Sequence, residues 1–274
     1  MADLTGMRAL ITGGSSGIGA AIAAELARRG ASLVLTARRR GPLDEVAARC
    51  RDLGVYVDTI TCDLGQDGGA EAVWAAATAN GTRALDIVVN NAGFGAFRPF
   101  ADTEWSRDAE MIELNIRALV LLSKLFVEAA AGRRGYLLNV ASIGAYQSVP
   151  NMALYAASKA FVRNFTEGLH DELRARGRDL SATCVCPGGT RTAFHAAAGA
   201  GDYSWIANRS MMSAEAVARA SVHAMLARRR TAIPGWINKL SCWGVRLVPR
   251  RVASWLALRV LGAPKRALPP RAIG

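Results

Sequence analysis

The stretch Met7-Arg8-Ala9-Leu10-Ile11-Thr12-Gly13-Gly14-Ser15-Ser16-Gly17-Ile18-Gly19 passes from a short apolar run into a glycine-rich turn, and then into an Ala-rich helical pattern over residues 20–29. Glycines in such a turn let the backbone bend tightly and approach a ligand closely. A helix beginning there offers unpaired N–H groups and the positive end of its dipole. A pyrophosphate suits that environment, so nucleotide binding is the functional reading, carried by Gly13, Ser15, Ser16, Gly17, Ile18 and Gly19. An ordinary strand-to-helix turn is the plain alternative.

Outward from this turn the same alternation repeats. Short runs rich in β-branched residues predict strands at Met7 to Thr12, Ser32 to Thr36, Tyr56 to Thr61, Ile87 to Asn90, Gly135 to Val140, Ser181 to Cys186 and near Thr231 to Ile233. Helical patterns start near Gly17, Leu43, Gly69, Trp105, Tyr155 and Ser213. Strands alternating with helices predict an α/β fold: a doubly wound parallel sheet of about seven strands, with helices on both faces and a C-terminal helical appendage. No repeat or linker divides the chain, so one dinucleotide-binding and catalytic domain is expected over residues 1–234, followed by an extension over 235–274.

The length of 274 residues admits one large α/β domain, and 51% hydrophobic with 20% charged residues excludes a disordered chain. The net charge of +12 is unevenly placed: residues 1–215 hold 22 Lys+Arg against 22 Asp+Glu, whereas residues 216–274 hold 12 Lys+Arg and no acid. That excess lies on an apolar tail without a recognition motif, so no nucleic-acid partner is expected. Five cysteines, an odd number without paired spacing, argue for a reducing compartment. His170, His195 and His223 lack ligand spacing, so no metal is expected. The N-terminus shows no secretory pattern, and no apolar run reaches the roughly 18 residues of a membrane span. A cytoplasmic protein is expected.

The spacing Thr-Gly-x-x-x-Gly-x-Gly at Thr12 to Gly19 resembles the short-chain dehydrogenase/reductase family. Further matches follow in order: Asp63-Leu64 after the third strand, Asn90-Asn91-Ala92-Gly93 at the end of the fourth, Asn115 on the next helix, Ser142 after the fifth strand, Tyr155-x-x-x-Lys159 on the following helix, and Pro187-Gly188 after the sixth. The resemblance covers residues 7 to about 235 and implies a Rossmann-type NAD(P)-dependent oxidoreductase. It implies that Asp63 and Leu64 contact the adenine, that Asn90, Ala92 and Gly93 line the cofactor, and that Pro187, Gly188, Thr190 and Thr192 support the nicotinamide carboxamide. Thr190 replaces a more usual Val or Ile. A homodimer or homotetramer is the assembly it implies.

Cofactor choice is read at the end of the second strand, where NAD-using dinucleotide folds place an acid on the ribose 2′-hydroxyl. This chain has Ala37-Arg38-Arg39-Arg40 there. With no carboxylate expected at that point and a guanidinium fork at Arg38 to grip a 2′-phosphate, NADPH/NADP is the expected cofactor. Arg39 and Arg40 read equally well as a solvated charge run. Many NADP-using relatives carry a basic residue where this chain has Ser16.

Tyr155 and Lys159 stand four apart on a predicted helix and share one face. A phenol is a weak acid near neutrality, and an adjacent ammonium favours the phenolate, so the pair suits proton transfer to or from a carbonyl oxygen. By resemblance, Ser142 holds the same oxygen, Lys159 also binds the nicotinamide ribose, and Asn115 holds a water linking Lys159 to solvent. Phe94, Phe97, Tyr146, Val149, Phe194, Trp205, Met211 and Met212 border the expected crevice, which suggests a hydrophobic ketone, acyl chain or alcohol as substrate; packing alone is the other reading. The segment Ala196 to Gly201 could hinge. A catalytically idle NADPH-binding sensor or scaffold is the alternative function. In the tail, Trp236, Trp243 and Trp255 lie among Lys239, Arg246, Arg250, Arg251 and Arg259, and two short amphipathic helices separated near Pro249 are expected either to contact a membrane or to fold back over the substrate crevice or a partner subunit.

Overall fold

The structure, a computed structural model, describes residues 3–79, 84–192 and 211–261. Among these residues, seven parallel strands form one sheet in the order β3-β2-β1-β4-β5-β6-β7. They are β1 (Arg8–Thr12), β2 (Ser32–Ala37), β3 (Val57–Thr61), β4 (Ile87–Asn90), β5 (Gly135–Val140), β6 (Leu180–Val185) and β7 (Thr231–Ala232). Among the described residues the α-helices are α1 (Gly17–Ala27), α2 (Arg40–Arg51), α3 (Gly69–Thr78), α4 (Trp105–Ile112), α5 (Leu119–Ala129), α6 (Ala153–Ala175), α7 (Ala214–Leu226), α8 (Trp236–Gly244) and α9 (Arg250–Leu261).

The apolar strand runs follow from burial on both faces. In β1, Ala9 and Ile11 enter one core cluster while Leu10 enters the other. The same division separates Leu33 and Leu35 from Val34 in β2, and Ile87 and Val89 from Val88 in β4. Because successive side chains point to opposite faces, a strand covered on both sides has no polar face to show, and its sequence reads as continuous rather than alternating.

The strand order reverses between β1 and β4, which pair with each other in the middle of the sheet. Connections leave these strands toward opposite faces, opening a crevice at their carboxyl ends. The glycine turn and the segment 91–94 both start there. Several strand ends differ from expectation by one residue, α6 starts at Ala153 rather than near Tyr155, and two helical segments differ more. Helix α2 starts at Arg40 rather than near Leu43, because Pro42 falls in the first turn, where its missing N–H leaves no helical bond unmade. The helix from Trp105 continues through a widened π turn, Glu113–Ala118, into α5.

Candidate active site

The glycine turn is braced from β4. Thr12 Oγ1 accepts the N–H groups of Asn91 and Ala92, each at 3.0 Å, and Asn91 Nδ2 donates to Thr12 O at 3.0 Å and Gly13 O at 3.3 Å. Gly13 and Gly17 hold φ of +66° and +56°, which side chains disfavour, and a Cβ on Gly19 would collide with the Gly13 carbonyl. The Ser16 side chain makes no cap to α1. A helix leaves its first four N–H groups without an intrahelical partner, so this one begins as an uncapped cluster of donors against bare backbone. That cradle fits a nucleotide pyrophosphate.

At the end of β2 the structure corrects one expectation. Carboxylates do reach this point: Arg38 Nη1 lies 3.0 Å from Glu110 Oε1 on α4 and 3.7 Å from Asp63 Oδ2. Glu110 is in turn held by Arg107 at 2.7 Å. The expectation failed because Glu110 lies 72 positions from Arg38 in sequence and meets it only in the folded chain. Asp63 also accepts from Gly65 N at 2.9 Å, and Leu64 is buried beneath it.

Asn90 is turned away from the crevice. Its Nδ2 donates to Asn139 Oδ1 at 2.9 Å and Ser123 Oγ at 3.0 Å in the core, leaving only its main chain at the strand end. Gly93 lies opposite Asn115 and Lys159: a Cβ there would sit 2.9 Å from Asn115 Oδ1 and 3.3 Å from Lys159 Nζ. Asn115 occupies the π turn, a distortion often found at functional sites. Its Oδ1 accepts from Phe94 N at 3.1 Å, while Nδ2 donates to Phe94 O at 2.9 Å and Ser158 Oγ at 3.1 Å.

Ser142 leaves β5 in extended geometry and its Oγ accepts from Gly144 N at 3.1 Å. Lys159 is only 4% exposed, donates to Val140 O at 2.9 Å, and places Nζ 5.9 Å from the centre of the Tyr155 ring. Loss of hydration disfavours the ammonium and lowers the Lys159 pKa from 10.5 to about 8. After β6, Thr190 Oγ1 donates to Gly188 O at 3.1 Å, and the methyl of Thr192 faces Gly17, where a Cβ would meet it at 3.2 Å. The turn, the Gly93 segment, Ser142, the Tyr155–Lys159 helix face and the Pro187–Thr192 segment thus converge on the carboxyl edge of one sheet.

Of the side chains expected along the crevice, Phe97 and Val149 are buried in the body, whereas Met211 and Met212 are partly exposed. The Phe94 and Tyr146 rings carry guanidinium groups, Arg107 at 3.7 Å and Arg163 at 4.3 Å. Phe194, His195, Trp205 and the stretch Ala196 to Gly201 lie outside the described residues. Sequence reading missed Asn91, Glu110, Ser158 and Asn238. Asn238 is buried on α8, where a Cβ on Gly188 would collide with its amide. Only Asn91, inside the quoted Asn-Asn-Ala-Gly string, carried a local signal.

A family model described as short chain dehydrogenase matches residues 7–202. The chain is 36% identical over 188 residues to a protein of Sesamum indicum named 11-beta-hydroxysteroid dehydrogenase A, an alignment covering 68% of this chain and 53% of that protein. A solved short-chain dehydrogenase from Sphingobium yanoikuyae in complex with NADPH is 30% identical, with a TM-score of 0.76, covering 95% of this chain and all of that one (100%). A short chain dehydrogenase/reductase from Burkholderia phymatum in complex with NAD has the same fold, with a TM-score of 0.77 at 24% identity, covering 90% of this chain and 96% of that one.

Proposed function

Because the chain belongs to the short-chain dehydrogenase family of Rossmann-fold oxidoreductases, we propose that it is an NADP(H)-dependent reductase, or dehydrogenase in reverse, for a hydrophobic ketone or secondary alcohol. The observation that carries the reading is the buried cation Lys159, held on Val140 O and set 5.9 Å from the Tyr155 ring at the same sheet edge as the glycine cradle. A lysine with so little hydration is costly to the fold, and a site beside a phenol gives it a task.

NADP(H), when bound, supplies or receives the hydride. Tyr155 donates its phenolic proton to the carbonyl oxygen in reduction, and takes one from the alcohol in oxidation. Ser142 Oγ already accepts from Gly144, so its O–H is left to donate to that same oxygen and fix its position. Lys159 has three N–H donors and Val140 takes one, leaving others for the nicotinamide ribose and for a water beside Asn115. The missing side chain at Gly93 keeps the space between Asn115 Oδ1 and Lys159 Nζ open for such a water. Gly13 to Gly19 would hold the pyrophosphate; Asp63 and Leu64 would flank the adenine; Ala92, Gly93 and the Asn90 main chain would line the cofactor; Pro187, Gly188, Thr190 and Thr192 would hold the carboxamide.

Arg38 is the residue proposed to grip the 2′-phosphate. Its ion pairs with Glu110 and Asp63 are half-exposed, and such pairs contribute about 0–1 kcal/mol, less than a bidentate phosphate contact. Partly exposed Met211 and Met212, and relatives whose names include a hydroxysteroid dehydrogenase, support a bulky apolar substrate. A homodimer or homotetramer belongs to the same proposal and is checked by light scattering.

Two measurements test the reading, with 3-oxoacyl thioesters, steroids and aromatic ketones as the substrate panel. NADPH should be consumed much faster than NADH, and Arg38→Ala should raise KM for NADPH alone; equal use of the two cofactors by the native protein would refute the assignment. Tyr155→Phe should lower kcat by about a hundredfold or more while NADPH fluorescence still reports binding. A loss under about tenfold would mean another group delivers the proton.

A further inference from the structure

Helices α8 and α9 are built inside out for a water-soluble protein. On α8 the stripe facing the body is Asn238 and Cys242, both buried. Asn238 Nδ2 donates to Pro234 O at 2.8 Å and its amide lies against Gly188, which fixes the helix on the sheet end. On α9 the buried stripe is Ala253 and Ala257. The large apolar side chains point the other way. Trp236, Leu240, Trp243 and Leu247, spaced i, i+4, i+7 and i+11, are 74%, 59%, 61% and 66% exposed. Trp255, Leu256 and Leu258 on α9 are also exposed.

Large apolar side chains exposed along one face of a helix mark a docking face. Its charge decides the partner. Lys239, Arg246, Arg250, Arg251 and Arg259 are all exposed around it, and the chain contains no Asp or Glu after Glu215. The Arg259 guanidinium sits 4.7 Å from the centre of the Trp255 indole, a cation beside an amphipathic ring. A second copy docked here by two-fold symmetry would set arginines against arginines with no carboxylate from the same surface between them. An anionic lipid surface meets both demands, an apolar layer for the indoles and negative headgroups for the guanidinium groups. No described helix is long and apolar enough to cross a membrane, so the contact is with the interface.

We propose that the exposed faces of α8 and α9 dock the protein, in the plane of the interface, on an anionic lipid bilayer. Asn238 and Gly188 tie that face directly to the end of β6, so the site lies close to the bilayer surface. The proposal does not depend on the redox reading, and Tyr155→Phe should bind vesicles as the native chain does.

The full chain is sedimented with vesicles of phosphatidylcholine alone and of phosphatidylcholine mixed with phosphatidylglycerol. Binding is expected only to the mixed vesicles, with a blue shift of tryptophan emission and loss of binding at high salt. Arg246→Gln combined with Arg250→Gln should weaken partitioning by about fivefold per arginine. Trp236→Ser combined with Trp243→Ser should remove both binding and blue shift; these side chains are exposed, and an unchanged Tm checks the fold. The proposal is overturned if the native chain ignores anionic vesicles, or if neither double variant changes their binding. It is also overturned if the tryptophan pair proves instead to hold two copies together in the ultracentrifuge, with no vesicle binding.

Discussion

Burying Lys159 leaves a signature in the pH dependence of stability that can be measured without substrate. Its pKa falls from 10.5 in the unfolded chain to about 8 in the fold because its ammonium is stripped of water. Below pH 8 both states hold the proton, and the fold carries the whole penalty, about 3 kcal/mol at 1.36 kcal/mol per unit. Between those two values the native state has released the proton and the unfolded chain still binds it, so stability rises with pH. From pH 7 to 9.5 this one group contributes a gain of about 2 kcal/mol. Other buried groups act with the opposite sign: Cys242, pushed up to about 12 by burial, stays neutral in the fold while the unfolded thiol ionises. The Cys242 contribution does not involve Lys159, so a Lys159→Met variant shares it and it cancels in the comparison. Urea unfolding of both proteins at pH 7 and pH 9.5 should therefore show the native protein gaining about 2 kcal/mol on the variant as pH rises. A difference under about half a kcal/mol would mean that Nζ keeps its proton in the fold at pH 9.5, which would refute the burial argument.

Two further substitutions probe the cofactor cradle. Glu110→Gln removes the carboxylate that holds Arg38 at 3.0 Å, and should lower KM for NADPH by up to about fivefold with no effect on NADH; a raised KM would mean that Glu110 orients Arg38 rather than competing for it. Gly19→Ala, whose new methyl would strike Gly13 O, should abolish nucleotide binding by fluorescence titration, whereas Gly41→Ala, with open space around it in α2, should leave binding intact and raise stability by up to about 1 kcal/mol.

What was legible in the sequence was local. The glycine turn and the Tyr155–Lys159 pair are defined by spacings of a few residues, so backbone geometry alone sets their neighbours. Strand positions could be read because a strand buried on both faces has little but apolar residues, and the sixth strand is displaced by a single residue, Leu180 for Ser181. What was not legible depends on contacts between distant segments. Glu110 reaches Arg38 across 72 positions. The inward turn of Asn90 was in principle readable, since residues two apart in a strand share a face and Val88 faces the cluster on the α3 and α5 side. The Nδ2 of a buried amide on that face needs acceptors there, and Ser123 and Asn139 supply them, while Asn90 Oδ1 stays buried without a partner.

The tail shows a different limit. Charge arithmetic located its basic character and helical spacing gave two amphipathic segments divided near Pro249, but periodicity does not say which face looks inward. Hydrophobicity alone would turn Trp236, Trp243 and Trp255 toward the body. The structure does the reverse: Ala253 and Ala257 are buried residues of α9, and Asn238 with Cys242 turn inward on α8, the Asn238 amide lying against Gly188, where the missing Cβ makes room for it. Once those contacts are made, the opposite face is committed to the outside whatever it contains. Each helix independently leaves its largest apolar side chains there, beside arginines and without one carboxylate. A surface selected only for water would have placed charge in those positions, so the arrangement is better explained by a medium that water does not supply.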